Sequence, residues 1–151
     1  MNKLRERIFA WILKRQASRR VVMPRWNTAR TVAVLYPNDN IQHIIKQIEK
    51  DEKDVVVFTL PDKKQINWFT ERPKTELREL LTARQFDLLI DLTQQPSLTM
   101  LYMAMDIQAD FKVGRFIREG IHDLTIDTAP QEAPDYLFEQ ILKYIKVFGR
   151  K

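Results

Sequence analysis

Residues 86–116 read FDLLIDLTQQPSLTMLYMAMDIQADFKVGRF, and this stretch decides the fold. Its opening, FDLLIDLT at 86–93, is almost continuously apolar, the pattern of a strand covered on both faces of a parallel sheet. Residues 94–96 (QQP) break it, and Ser97 stands where a helix N-cap belongs. Residues 97–108 then read as a helix that is apolar nearly all round, with Met100, Met103 and Met105 among its apolar residues. Residues 111–116 (FKVGRF) follow as another strand.

The alternation continues outward on both sides. Residues 31–36 (TVAVLY) read as a β-branched strand ended by turn chemistry, Pro37-Asn38-Asp39-Asn40. Asp39 or Asn40 is placed to cap a helix whose Ile41, Ile44, Ile45 and Ile48 keep helical spacing. Residues 54–60 (DVVVFTL) form a second apolar strand, with a turn at 61–64. Residues 66–70 (INWFT) fit either a short extra strand or an irregular loop. Residues 73–85 predict a helix with Leu77, Leu80 and Leu81 inward, and 122–127 (HDLTID) a fifth main strand. The last helix runs from Pro134 to Phe148 with a stripe of Leu137, Ile141, Tyr144, Ile145 and Phe148.

This order predicts an α/β fold. It is an open, mostly parallel five-stranded sheet, Rossmann-like or flavodoxin-like, with helices on both faces and an amphipathic helix in front. The link between the fourth and fifth strands is shorter than the ~12 residues a parallel crossover needs. The fifth strand is therefore expected to pair antiparallel with the fourth or to sit elsewhere in the sheet.

The chain has 151 residues, one domain's worth, and is 44% hydrophobic and 30% charged, a globular composition. It has no cysteine, which excludes disulfides, a thiol nucleophile and a thiolate zinc site. The longest apolar run among the first twenty residues is 8–13, too short for a membrane span or a secretory core. The cytoplasm is the expected compartment.

Positive charge is concentrated at one end. Residues 1–30 hold nine basic residues and one acid, Glu6, a balance of +8, while the other 121 residues carry 16 basic and 19 acidic, a balance of −3. We therefore divide the chain into a basic helical arm, 1–29, and a single α/β domain, 30–151. Within the arm, 2–17 predicts a helix with Leu4, Ile8, Trp11 and Ile12 at helical spacing and Phe9 and Leu13 widening the stripe. Arg5, Arg7, Lys14 and Arg15 lie mostly off that stripe, and Arg19 and Arg20 follow it. The stripe can pack on the domain or on a second copy of the chain as a homodimer. Alternatively, the helix lies on an anionic membrane surface, peripherally, or on a protein partner. For nucleic acid only charge speaks: there is no helix-turn-helix pattern, zinc signature or aromatic-interleaved sheet face, so nucleic acid is not an expected partner.

The residues exclude much chemistry. The three glycines are Gly114, Gly120 and Gly149, so the turns YPNDN, LPDKK and LTQQPS after the first three strands cannot cradle a pyrophosphate. No cofactor is expected. The two histidines, His43 and His122, read as ordinary surface or edge residues, and no metal site is expected. Ser97 lacks a nucleophile elbow. Asp87 and Asp91 share a strand face but stand ~13 Å apart, too far for a hydrolytic pair. No catalytic residue is assigned, and the chain reads as non-enzymatic. One ligand crevice stays open, outside the carboxyl ends of the strands, lined by Asn38, Asp39, Asp91, Thr93, Gln94 and Arg115. The competing role for Asp91 is to bind backbone amides of the loop after it.

FDLLIDL at 86–92 and ADFKVGRF at 109–116, behind a basic helix, resemble an uncharacterised family of small bacterial α/β proteins, a domain of unknown function. That resemblance spans most of the chain and implies no activity. The same stretch is distantly similar to the N-terminal domain of heptosyltransferase-like glycosyltransferases. This second resemblance implies a Rossmann-like fold and, as an alternative function, a small ligand-binding or glycosyltransferase-like domain using the crevice near Asp91. The chain has no room for the second domain that would hold the sugar nucleotide. The principal expectation is thus a non-enzymatic α/β domain brought to a membrane surface or protein partner by its basic N-terminal helix.

Overall fold

Runs of Val, Ile and Leu that are apolar at every position need cover on both faces, and the chain supplies it with helices on either side of one sheet. The computed structural model describes residues 3–16, 18–115, 117–118, 120–129 and 132–149. Asn2 and Ala17, the predicted ends of the first helix, and Phe116, the predicted end of the fourth strand, lie outside the described residues. In chain order the elements are α1 (Lys3–Lys14), β1 (Thr31–Leu35), α2 (Gln42–Lys50), β2 (Asp54–Phe58), a 3-10 turn (Lys63–Gln65), α3 (Thr75–Thr82), β3 (Gln85–Phe86), β4 (Leu88–Asp91), α4 (Leu98–Asp106), β5 (Gln108–Ala109), β6 (Lys112–Arg115), β7 (Leu124–Ile126) and α5 (Pro134–Phe148).

The main sheet has five parallel strands in the order β2-β1-β4-β6-β7. Counting main strands only, this is 2-1-3-4-5, the flavodoxin-like doubly wound order. A separate two-stranded parallel ladder joins β3 to β5. It arises because the predicted strand 86–93 is broken at Asp87, whose carboxylate turns aside to accept the Arg30 and Thr31 N–H groups at 2.7 and 3.1 Å.

One expectation is corrected. The fifth main strand, β7, lies beside β6 and parallel to it, with Gly114 opposite Thr125. The crossover is short because, among the described residues, it forms no helix. Its described part buries Ile121 and tucks His122 over Gly114. The ~12-residue requirement assumes that a helix must be fitted in.

β1 shows how the layers form. Val32 and Val34 face the cluster under α2 and α5, with Ile44, Ile48, Phe138 and Ile141, while Ala33 and Leu35 face the cluster under α1, α3 and α4, with Phe9, Leu81 and Tyr102. Every residue of α4 is buried, and Ser97 Oγ caps it by accepting the Met100 N–H at 3.3 Å. Two predicted stripes are rotated. Leu80 is exposed, leaving Leu77 and Leu81 to hold α3. Tyr144 and Phe148 are exposed on α5, where Phe138 and Leu142 take their place in the core. The residue preceding α2 is Ile41, not Asp39 or Asn40; the Asn38 side chain instead accepts the Asn40 N–H within the turn.

Candidate functional site

The switch point of this strand order lies between β1 and β4, where Leu35 and Asp91 end neighbouring strands. Four of the six predicted crevice residues converge there. Asp91 Oδ1 accepts the Thr93 N–H at 3.0 Å, so the expected bond to the following loop is present, and Oδ2 lies 2.8 Å from His122 Nε2. Arg115 donates from Nε to Thr128 Oγ1 at 2.8 Å and from Nη1 to the Gln94 carbonyl at 3.2 Å. Gln94 in turn donates to the Glu132 carbonyl at 2.6 Å and accepts from the Tyr36 hydroxyl at 3.4 Å. Asp91, Thr93 and Arg115 are all buried. Asn38 and Asp39 stay outside, exposed on the turn after β1.

This cluster is a joint. Its groups bind one another and fasten the ends of β4 and β6 to the loops at 128 and 132. His122 is a correction: its side chain is 1% exposed, not an ordinary surface group. The signal was hidden because it depends on Gly114, which stands opposite Asp91 in the β4–β6 register. A Cβ at Gly114 would come within 2.9 Å of His122 Nε2, so only glycine leaves the imidazole room to reach Asp91. Among the described residues, no group of three or more His, Asp and Glu converges to hold a metal ion.

The second cluster is built on the basic arm. Phe9 is fully buried, its ring edge-on to Tyr102 at 4.7 Å, with the Arg118 guanidinium over its other side at 5.0 Å. Of Arg5, Arg7, Trp11, Lys14, Arg15, Arg19 and Arg20 on the arm, two are tied to the body. Arg5 donates to the carbonyls of Phe69 (2.7 Å) and Trp68 (3.2 Å) and pairs with Glu71 at 3.3 Å. Arg19 donates to the Ala109 carbonyl at 2.8 Å and pairs with Asp123. Farther along, Lys53 Nζ donates to the Trp26 and Ala29 carbonyls and so secures the link into β1. Arg7, Trp11, Lys14, Arg15 and Arg20 face solvent, and the Arg15 guanidinium lies 4.1 Å over the Trp11 ring. At about 100° per residue, Leu4 and Trp11 point a half-turn away from Phe9.

Arg5 leads to a feature that sequence reasoning left undecided. Residues 66–73 form a tight loop closed by an antiparallel bridge between Ile66 and Pro73. Asn67 organises it: its side-chain oxygen accepts the Phe69 and Thr70 N–H groups at 2.9 and 3.0 Å, and its N–H donates to the Arg72 carbonyl at 2.7 Å. Glu71 takes a left-handed φ of 65°, and its carbonyl accepts from Thr99 Oγ1 at 2.6 Å. At the tip of this braced loop Trp68 is 82% exposed, ring edge against Phe69 at 5.7 Å. An aromatic pair between an asparagine and a proline was the available signal, but it has no period to read.

No described helix is long and apolar enough to cross a membrane. No curated protein and no solved structure matches the chain. One family model, that of a family of unknown function (DUF6913), matches residues 5–148, from the first turn of α1 to the last residue of α5. With both the basic helix and the whole sheet inside that match, the chain belongs to the DUF6913 family of unknown function.

Proposed function

We propose that this protein docks peripherally on an anionic membrane surface, through the outer face of α1 and the loop that carries Trp68. The observation that carries the reading is Trp68 itself, a tryptophan 82% exposed at the tip of a loop held rigid by Asn67 and Arg5. A folded chain gains nothing by fixing an indole in water; such residues mark docking surfaces, and tryptophan in particular suits the membrane–water interface. Trp11 and Leu4 on α1 are exposed as well, and Arg7, Lys14 and Arg15 surround them. Each basic side chain near an anionic leaflet contributes about 1 kcal/mol, and an aromatic side chain offers ~150–250 Å² of contact area. Neither source alone anchors a protein firmly; the combination does. On this reading the protein is cytoplasmic, held at the membrane face without spanning it.

The crevice near Asp91, with its glycosyltransferase-like implication, has less support, because Asp91, Thr93 and Arg115 are buried, Asp91 is engaged by His122 and the Thr93 N–H, and Arg115 by Thr128 and the Gln94 carbonyl.

The test is flotation of the full chain with vesicles of phosphatidylcholine, with and without phosphatidylglycerol. Deleting the arm would uncover Tyr102, so point substitutions are used. Wild type is expected to float only with anionic vesicles, and Trp68→Ala and Trp11→Ala each to weaken flotation several-fold. Equal flotation of the double variant, or none by wild type, overturns the proposal.

A further inference from the structure

Beside Trp68 lies a cleft of about 540 Å³ into which Lys64, Arg72, Lys74 and Arg78 converge. Its wall includes Asn67 and Thr70, the residues that flank Trp68 and Phe69. The positive charge is poorly compensated. Lys64 and Lys74 are exposed and form no ion pair among the described residues. Among the described residues the Arg78 side chain makes one hydrogen bond, to Thr75 Oγ1 at 3.2 Å. Arg72 has one carboxylate near it, Asp106 at 3.7 Å, and lies over the Tyr102 ring. The Nε–H groups of both arginines meet no acceptor among the described residues. Among the residues that line the cleft the one acid is Glu76; Asp106 lies behind both Arg72 and Arg78, and the Glu71 carboxylate is already held by Arg5.

Four under-neutralised cations in one concavity call for an anion, and two guanidinium forks among them suit phosphate oxygens. The position of the cleft names the source. It shares its wall with the loop that carries Trp68, so an indole lying at the membrane interface brings the cleft to the level of the headgroups. A phosphomonoester, with more charge and more free oxygens than a phosphodiester, matches this donor set better.

We propose that the cleft formed by Lys64, Arg72, Lys74 and Arg78 holds the phosphomonoester headgroup of an anionic lipid while Trp68 and Phe69 enter the interface beside it. The inference rests on the membrane reading above. The experiment compares phosphatidylcholine vesicles carrying phosphatidylglycerol with others carrying phosphatidic acid, matched for surface charge. Wild type is expected to bind the phosphatidic acid vesicles about tenfold more tightly, the equivalent of ~1.4 kcal/mol. The K64Q/K74Q variant, altered only at exposed residues, is expected to lose that preference while keeping its dependence on Trp68. Arg78→Lys, which keeps the charge and removes the fork, is expected to reduce the preference.

A K64Q/K74Q variant that retains the full preference overturns the headgroup site and leaves the membrane reading standing. If wild type floats with neither vesicle, yet glycerol 3-phosphate or inorganic phosphate raises its Tm and K64Q/K74Q abolishes that rise, the cleft is a soluble-phosphate site and both lipid claims fall. Neither flotation nor a Tm shift overturns both.

Discussion

His122 and Asp91 meet at 2.8 Å across the face of β6, and the side chains of both are nearly sealed from water, at 1% and 5% exposure. The contact holds the end of the connection to β7 against β4, next to the parallel β6–β7 pairing. The imidazole reaches Asp91 by lying in the space that Gly114 leaves open.

Gly114→Ala should therefore destabilise the fold by about 2 kcal/mol, the scale of overpacking in a close-fitting core. Its Cβ would stand 2.9 Å from His122 Nε2 and 3.1 Å from Asp91 Cβ, with a buried hydrogen bond lost as His122 moves away. Urea unfolding measures the loss. In the same assay, G114A on a His122→Ala background should cost much less, because the clash partner is gone. Additive costs would show that Gly114 matters for some other reason.

The sequence made the layers legible but not their order. Runs such as 55–58 and 88–90 are apolar at every position, which a sheet covered on both faces explains, and α5 begins and ends where Pro134 and Phe148 predict. The order 2-1-3-4-5 is a matter of which edges meet at long range, and no local period encodes it. The burial of His122 is hidden from the sequence for the same reason: it depends on a glycine in the neighbouring strand. On α1 the difficulty was different. Leu4, Ile8, Trp11 and Ile12 make one apolar face and Phe9 with Leu13 widens it, so periodicity alone could not choose the side that meets Tyr102.

That choice gives a contrast within one helix. Phe9→Ala should cost about 3–4 kcal/mol, since it empties a fully buried site against Tyr102. Trp11→Ala, 56% exposed, should change stability by no more than about 0.5 kcal/mol while weakening vesicle binding. Chemical denaturation of the two variants separates the inner face from the outer one; equal losses would contradict the packing described.

Lys112 offers a prediction in pH. Its ammonium is buried, donating to the carbonyls of Ala104 and Met105 at 2.8 and 2.9 Å. Burial pushes its pKa down to about 8, from 10.5. Below pH 8 the folded and unfolded chains both hold the proton, and the full penalty of the buried charge is present. Between about 8 and 10.5 the folded chain releases it first, so this group makes the protein more stable as pH rises, by roughly 3 kcal/mol over the window. Lys112→Met should be insensitive to pH through this site. The difference between the wild-type and variant stability slopes above pH 8 is the measurement, and identical slopes would show that Lys112 does not lose its proton there.

The loop at 67–71 carries the last prediction, because its rigidity is what turns an exposed indole into a docking device. Asn67 holds the Phe69 and Thr70 amides, and Arg5 grips the loop from α1 through the Trp68 and Phe69 carbonyls. Asn67→Ala frees both amides without touching a core residue or any of the cleft cations. Amide hydrogen exchange at Phe69 and Thr70 should then quicken by about tenfold or more, the factor that ~1.4 kcal/mol of lost protection implies, while exchange in β1 and β4 stays unchanged. Vesicle binding should weaken in the same variant, since a loop free to wander must be ordered again each time Trp68 enters the interface. Faster exchange with undiminished binding would separate the two properties and show that the indole alone, and not its fixed presentation, is what the membrane meets.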